Sequence, residues 1–296
     1  MQEGLILCVL GLLAGCFIAL TMSPPPDDTD FAKFDTYHRH MKQFRALASW
    51  EFPFFVYYIN MDQSTERRAH MEEQLQHLQC PHRRVAGHPG RAPHPRGTVQ
   101  APHSTDGEVG CTVSHVLAVR AAFDAGLERV LICEDDACFG LTVNVRWKTL
   151  FDNLDRFDPE WEVLSLYDHE SDFRTPELYF RRWPELHCTA AYVLHRRGMV
   201  RLLDSVRDPD DPHRWLLDEA RHGRVVADYL LPRCLRGHAH VVSRSLVYAH
   251  WDTSTIHTDH DHASKAHNAG LVNREWPRVF RAWQNKSGPQ QKTNTA

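Results

Sequence analysis

The chain has 296 residues, 42% hydrophobic and 24% charged, with a formal net charge of -4. That length can bury one sizeable core, and the near-neutral balance excludes the basic excess expected of a nucleic-acid binder. The eight cysteines form no CxxC pair, which excludes a zinc ribbon or a thioredoxin-type site.

From Gly4 to Met22 no residue is charged. At about 1.5 Å per residue the stretch reaches about 28 Å as a helix, close to the roughly 30 Å of a bilayer's hydrocarbon. Residues 1–22 therefore read as a single-pass signal-anchor. A cleaved signal peptide needs a basic n-region and a small-x-small site, and the segment has neither. Lys33, Arg39, Lys42 and Arg45 follow the segment. The positive-inside rule weakly favours a cytoplasmic body on that count, whereas a eukaryotic type II protein would hold its body in the ER or Golgi lumen. Residues 23–50 open on Ser23-Pro24-Pro25-Pro26 and lack a sustained period, as a stem does. The folded body is expected over 51–285, and a disordered tail over 286–296.

Phe54 to Ile59 is a β-branched and aromatic run of strand length. Asn60-Met61-Asp62-Gln63-Ser64 then reads as a turn into a helix carrying Met71, Leu75 and Leu78. Ala86 to Asp106, rich in Pro, Gly, His and Arg, reads as a surface loop. Thr112 to Ala125 carries a broad apolar helical face that Gly126 ends. Val130-Leu131-Ile132-Cys133 is a continuous apolar run, the form of a strand covered on both faces in a parallel sheet. Val163 to Tyr167 and Ala190 to Leu194 are further strands, the second leading into a helix around Met199 to Val206. Beyond the anchor, Cys80, Cys111, Cys133, Cys138, Cys188 and Cys234 suit lumenal disulfides and buried thiols equally.

The sharpest feature is Glu134-Asp135-Asp136 directly after a buried strand. In open α/β sheets ligands bind outside the carboxyl ends of strands. Two unit charges 4 Å apart repel by about 4 kcal/mol at an effective dielectric of 20. Three consecutive acids therefore imply a bound cation, strong solvation or a raised pKa. Alternate residues can face one side, so Glu134 and Asp136 can share a hard cation such as Mn²⁺ or Mg²⁺.

Several phrases together resemble glycosyltransferase family 25, which includes lipopolysaccharide and procollagen galactosyltransferases. Ile59-Asn60-Met61-Asp62 with Arg67-Arg68 looks like its opening strand and paired arginines. Gly107-Glu108-Val109-Gly110-Cys111 with Ser114-His115 is similar to its Gly-Glu-Ile-Gly-Cys and Ser-His signature. Val130 to Asp136 resembles its strand ending in Glu-Asp-Asp, and Thr189 to Leu194, Gly198, Leu202-Leu203 and Asp228 fall where it carries a strand, a helix and an acid. The departures are conservative: Met61 for Leu, Val109 for Ile and Cys133 for Leu.

The resemblance implies an α/β GT-A-like, Rossmann-type nucleotide-sugar-binding domain, a UDP-sugar donor and transfer with inversion. Glu134 and Asp136 are then expected at the metal and diphosphate, with Asp135 as ligand or support. Asn60, Asp62, Arg67 and Arg68 are expected at the nucleotide, at least one arginine being structural. Gly107, Glu108, Gly110, Ser114 and His115 are expected beside the donor; their other reading is a loop glycine, a helix cap and a packed histidine. Asp228 is the candidate general base, with Asp168, Glu170 and Asp172 in reserve. His257, amid His260 and His262, can complete a metal site from a C-terminal loop. The expected partners are the UDP-sugar, a glycan or collagen-like hydroxylysine acceptor and the membrane, with no nucleic acid. The alternatives are an inactive relative serving as a binding or adhesion module and a histidine-rich zinc-binding membrane protein. The intact Glu-x-Asp argues against the inactive reading.

Overall fold

The computed structural model describes residues 53–139, 142, 145–168, 179–184, 188–235 and 237–249. The expected anchor, stem and tail, and His257 with its neighbouring histidines, lie outside them, as do Glu170 and Asp172. Among the described residues no helix is long and apolar enough to cross a membrane.

Eleven strands and six helices follow in chain order: β1 (Phe55–Asn60), α1 (Thr65–His77), β2 (His82–Ala86), β3 (Gly97–Gln100), α2 (Asp106–Asp124), β4 (Arg129–Glu134), β5 (Ala137–Cys138), α3 (Trp147–Phe157), β6 (Val163–Ser165), β7 (Phe180–Arg182), β8 (Ala191–His195), α4 (Arg196–Ser205), β9 (Trp215–Asp218), α5 (Glu219–His222), α6 (Ala227–Cys234), β10 (Ala239–Val242) and β11 (Tyr248–Ala249). Seven strands form the central sheet in the order β2-β1-β4-β8-β6-β10-β7. β1 pairs in parallel with β2 and with β4, and β10 in parallel with β6. β8 enters antiparallel between β4 and β6, and β7 closes the edge antiparallel to β10.

The strands read as unbroken apolar runs because both faces are covered. Val56, Tyr58, Leu131, Cys133 and Val193 point into one core with Met71 and Leu75 of α1 and with Leu150, Phe151 and Leu154 of α3. The intervening Tyr57, Val130, Ile132, Tyr192 and Leu194 point into the other, against α2, α4 and α6. The period of two thus sorts one run between two helical layers, giving a three-layer, Rossmann-like α/β arrangement.

Two elements differ from the sequence reading. α2 starts at Asp106 rather than at Thr112, because Thr105 and Glu108 form a capping box that begins the helix ahead of its apolar face. Its glycine at 110 serves close approach: a Cβ there would lie 2.5 Å from the His88 carbonyl oxygen. The stretch expected to be loop contains β3, which pairs in parallel with β9. Its partner lies more than a hundred residues further on, so no local pattern announces it; Gly97 packs directly on the Trp215 ring.

Candidate functional site

β1 leads back to β2 on one side and forward to β4 on the other, so the strand order reverses between β1 and β4. In open α/β sheets that reversal leaves a crevice at the carboxyl ends. A cleft of about 360 Å³ lies there. It is lined by Ile59 and Asn60 of β1, by Glu134 and Asp135 at the end of β4, and by Gly87 to Gly90 beyond β2. The first turns of two helices also face it, through Ser64 and Arg67 of α1 and Asp106 and Gly107 of α2. Helix N-termini carry partial positive charge and unsatisfied N–H groups, which suit an anionic ligand.

The three consecutive acids have separate environments. Asp135 is held from two sides, by Asn60 Nδ2 at 2.7 Å and Arg67 Nη1 at 2.9 Å. Asn60 is itself fixed: Arg84 Nε donates to its Oδ1, and its Nδ2 also reaches the Ser64 carbonyl. This network ties the end of β1 to the end of β4. Glu134 accepts from the Thr189 hydroxyl at 2.9 Å, and His115 Nε2 stands 3.5 Å away. Burial would raise its pKa, but His115, Thr189 and Arg67 outweigh burial and lower it. Asp136 has no such help. Its Oδ1 is buried without a hydrogen-bond partner, and burial followed by the charge of Glu134 pushes its pKa up to about 8.

Asp228, in the first turn of α6, joins this group. Its Oδ1 accepts from the Thr189 N–H at 3.0 Å and from the Thr189 hydroxyl at 2.9 Å. Burial and then Glu134 raise its pKa to about 6. One hydroxyl proton therefore stands between two carboxylates. Thr189 carries this role because β8 runs antiparallel to β4: the Glu134 N–H donates to the Ala190 carbonyl at 2.9 Å, which sets the start of β8 beside the end of β4. The sequence reading took Thr189 only as the start of a strand. Its signal was its place immediately before the apolar run, readable only once the strand's direction is known.

Other expected residues fall elsewhere. Asp62 is exposed and paired with Arg84. Arg68 pairs with Glu72, away from the residues that line the cleft, so it is the structural member of the arginine pair. Glu108 caps α2 and meets Arg224 at 2.9 Å, the helix-cap reading of that motif. Ser114 lines the cleft and donates to the Gly110 carbonyl, while its oxygen accepts from the His88 N–H. His115 is fully buried, with Nδ1 2.9 Å from the Tyr192 hydroxyl. Of the reserve bases, Asp168 is buried against Arg181. All six described cysteines are free thiols, which decides for buried thiols over disulfides.

Arg67 is the only guanidinium paired with the acid triplet among the described residues. Burial works to lower its pKa, but the fields of Asp136, Asp135 and Glu134 raise it. One guanidinium thus serves Glu134, Asp135 and Asp136, with Asp228 beside them. A hard divalent cation fits this all-oxygen, underneutralised group, and the partnerless Asp136 Oδ1 is the observation that favours it.

Comparison with known proteins adds two findings. A family model for "Glycosyltransferase family 25 (LPS biosynthesis protein)" matches residues 54–212, a stretch that contains the acid triplet, His115 and Thr189. Procollagen galactosyltransferase 2 of Homo sapiens is 28% identical over 105 residues, covering 33% of this chain and 17% of that relative.

Proposed function

The chain belongs to glycosyltransferase family 25, whose model covers more than half of it; on that premise we propose that it transfers a hexose, galactose first among the candidates, from a UDP-sugar to a glycan or to hydroxylysine of a collagen-like acceptor, with inversion at the anomeric carbon. The observation that carries this reading is the excess of carboxylates over cations beside a switch-point cleft. The galactose and collagen terms rest on the resemblance to the human procollagen enzyme.

In this reading the body is a GT-A-like domain. Glu134 and Asp136 hold Mn²⁺ or Mg²⁺, and His257 is a further candidate ligand. The cation, when bound, offsets the charge that develops on the departing diphosphate. Asn60 and Arg67 hold Asp135, and with it the end of β4, in place. The first turns of α1 and α2 favour an anionic nucleotide in the cleft. Asp228, with its pKa raised to about 6, is ionised at neutral pH and takes the acceptor hydroxyl's proton as that oxygen attacks the anomeric carbon from the face opposite the leaving UDP. Thr189 orients it. Residues 1–22 tether the body to a membrane, in a type II orientation with the body in the lumen if the source is eukaryotic.

The test is UDP release by the purified full chain over a panel of UDP-sugars, with and without acceptor. The expected result is turnover of UDP-galactose that EDTA removes and Mn²⁺ restores. Binding of a UDP-sugar without turnover would turn the reading to an inactive relative serving as a binding module. Failure to bind any UDP-sugar would remove it altogether.

A further inference from the structure

Next to the all-oxygen group lies a cluster of different chemistry. Cys111, His115 and Glu134 bring a sulfur, an imidazole nitrogen and a carboxylate oxygen within 4.8 Å of one another. Residues four apart on a helix share a face, so α2 presents Cys111 and His115 together, and β4 ends with Glu134 opposite them. His115 Nε2 is buried without a hydrogen-bond partner, 3.5 Å from Glu134 Oε1. The other ring nitrogen meets the Tyr192 hydroxyl at 2.9 Å. With Nδ1 as the donor in that contact, the Nε2 lone pair points into the cluster. An imidazole anchored through one nitrogen and open at the other is how metal-ligating histidines are held.

We propose that Cys111, His115 and Glu134 form a binding site for a thiophilic divalent cation of the Zn²⁺ type. Sulfur, nitrogen and one carboxylate are a zinc donor set, and three protein ligands leave a fourth position open. Mn²⁺ and Mg²⁺ prefer oxygen and discriminate against sulfur, so the two neighbouring sites select different metals while sharing Glu134. Zinc bonds of about 2.3 Å to sulfur and about 2.0 Å to nitrogen set those atoms roughly 3.5 Å apart; the cluster reaches this by closing about an ångström through side-chain rotation. Cys111, His115 and Glu134 all line the cleft, which gives the ion its entry. On binding, the Cys111 sulfur–hydrogen bond breaks, its proton passes to water and a sulfur–metal bond forms. Zinc here takes Glu134 from the neighbouring cation and narrows the cleft, so it opposes Mn²⁺. That consequence rests on the proposed function; the site itself does not.

The test uses the metal-free full chain with no sugar donor present, so its outcome is independent of transferase activity. Titration with Co²⁺ is expected to give a thiolate-to-cobalt charge-transfer band saturating at one equivalent, and Zn²⁺ should displace it. Cys111→Ser removes the band, and Tyr192→Phe, which frees the positioning hydroxyl, weakens Co²⁺ binding by about 10-fold. In the unaltered chain Zn²⁺ should also protect Cys111 from alkylation by iodoacetamide, read by peptide mass spectrometry, which neither folding of a variant nor binding to the C-terminal histidines can mimic. Absence of the band, its persistence in Cys111→Ser, or alkylation of Cys111 indifferent to Zn²⁺ would each overturn the proposal.

Discussion

Glu108 at the start of α2 and Asp136 just after β4 both belong to acidic motifs beside the same cleft, yet the fold treats them oppositely. Glu108 accepts the Thr105 N–H at 2.7 Å and the Arg224 guanidinium at 2.9 and 3.2 Å, so both oxygens have partners within the chain. Asp136 has a buried oxygen with none and a pKa pushed to about 8. A carboxylate whose charge the fold itself compensates has its work in folding. One left uncompensated costs stability and is retained for something that arrives from outside, which is why the motif that looks more elaborate in sequence is the structural one.

The contrast breaks most sharply at Asp136. Asp136→Asn is expected to lower the transfer rate by on the order of 1,000-fold, the scale of removing a principal electrostatic group from a reaction centre. The same change should stabilise the metal-free protein. In the folded chain the carboxyl holds its proton to about pH 8, against an ordinary value of 3.8, so between those limits the unfolded chain binds fewer protons. Stability therefore falls as pH rises through that window, and the variant lacks that slope. Thermal unfolding of both proteins at pH 5 and pH 8 without metal reads the difference. A variant less stable at pH 8 would mean that the carboxylate already has a partner.

At Glu108 the effects should exchange places. Glu108→Ala removes half of a capping box and an ion pair whose arginine is half exposed, together about 1–2 kcal/mol. Urea unfolding should show that loss, while the rate per folded molecule stays within a few-fold of the parent. A rate loss like that of Asp136→Asn would restore Glu108 to the donor site.

The sequence made one side of this contrast legible and hid the other. β1, β4 and β8 are visible because their residues are apolar at every position, and the acids are visible because they follow such a run without a break. The antiparallel course of β8 leaves no local trace, since a strand covered on both faces reads the same in either direction; the meeting of Thr189, Glu134 and Asp228 was therefore hidden. The early start of α2 was masked by Gly107 and Gly110, which count against a helix until the close approach to the 88–90 turn is seen. Asp62 and Arg68 sit in the same motif as Asn60 and Arg67, and only the direction each side chain takes separates those that line the cleft from those that do not.

The smallest effect tests the hinge between the two carboxylates of the site. Both the hydroxyl and the N–H of Thr189 pull the Asp228 pKa down against burial and the charge of Glu134, leaving it at about 6. Thr189→Val keeps the shape and the N–H but loses the hydroxyl, so the pKa should move above that value. If Asp228 is the base, activity rises as it ionises, and the acidic limb of the rate–pH profile should shift to higher pH, with a loss greater at pH 6 than at pH 8. A bound cation lowers both profiles, so the displacement between parent and variant is the quantity to read. Because Glu134 accepts the same hydroxyl, the variant also weakens the hold on that carboxylate, and a matching rise in the Mn²⁺ concentration needed for half-maximal rate would separate its two consequences. A limb that stays in place would assign the base to another group and leave Thr189 as a support for Glu134 alone.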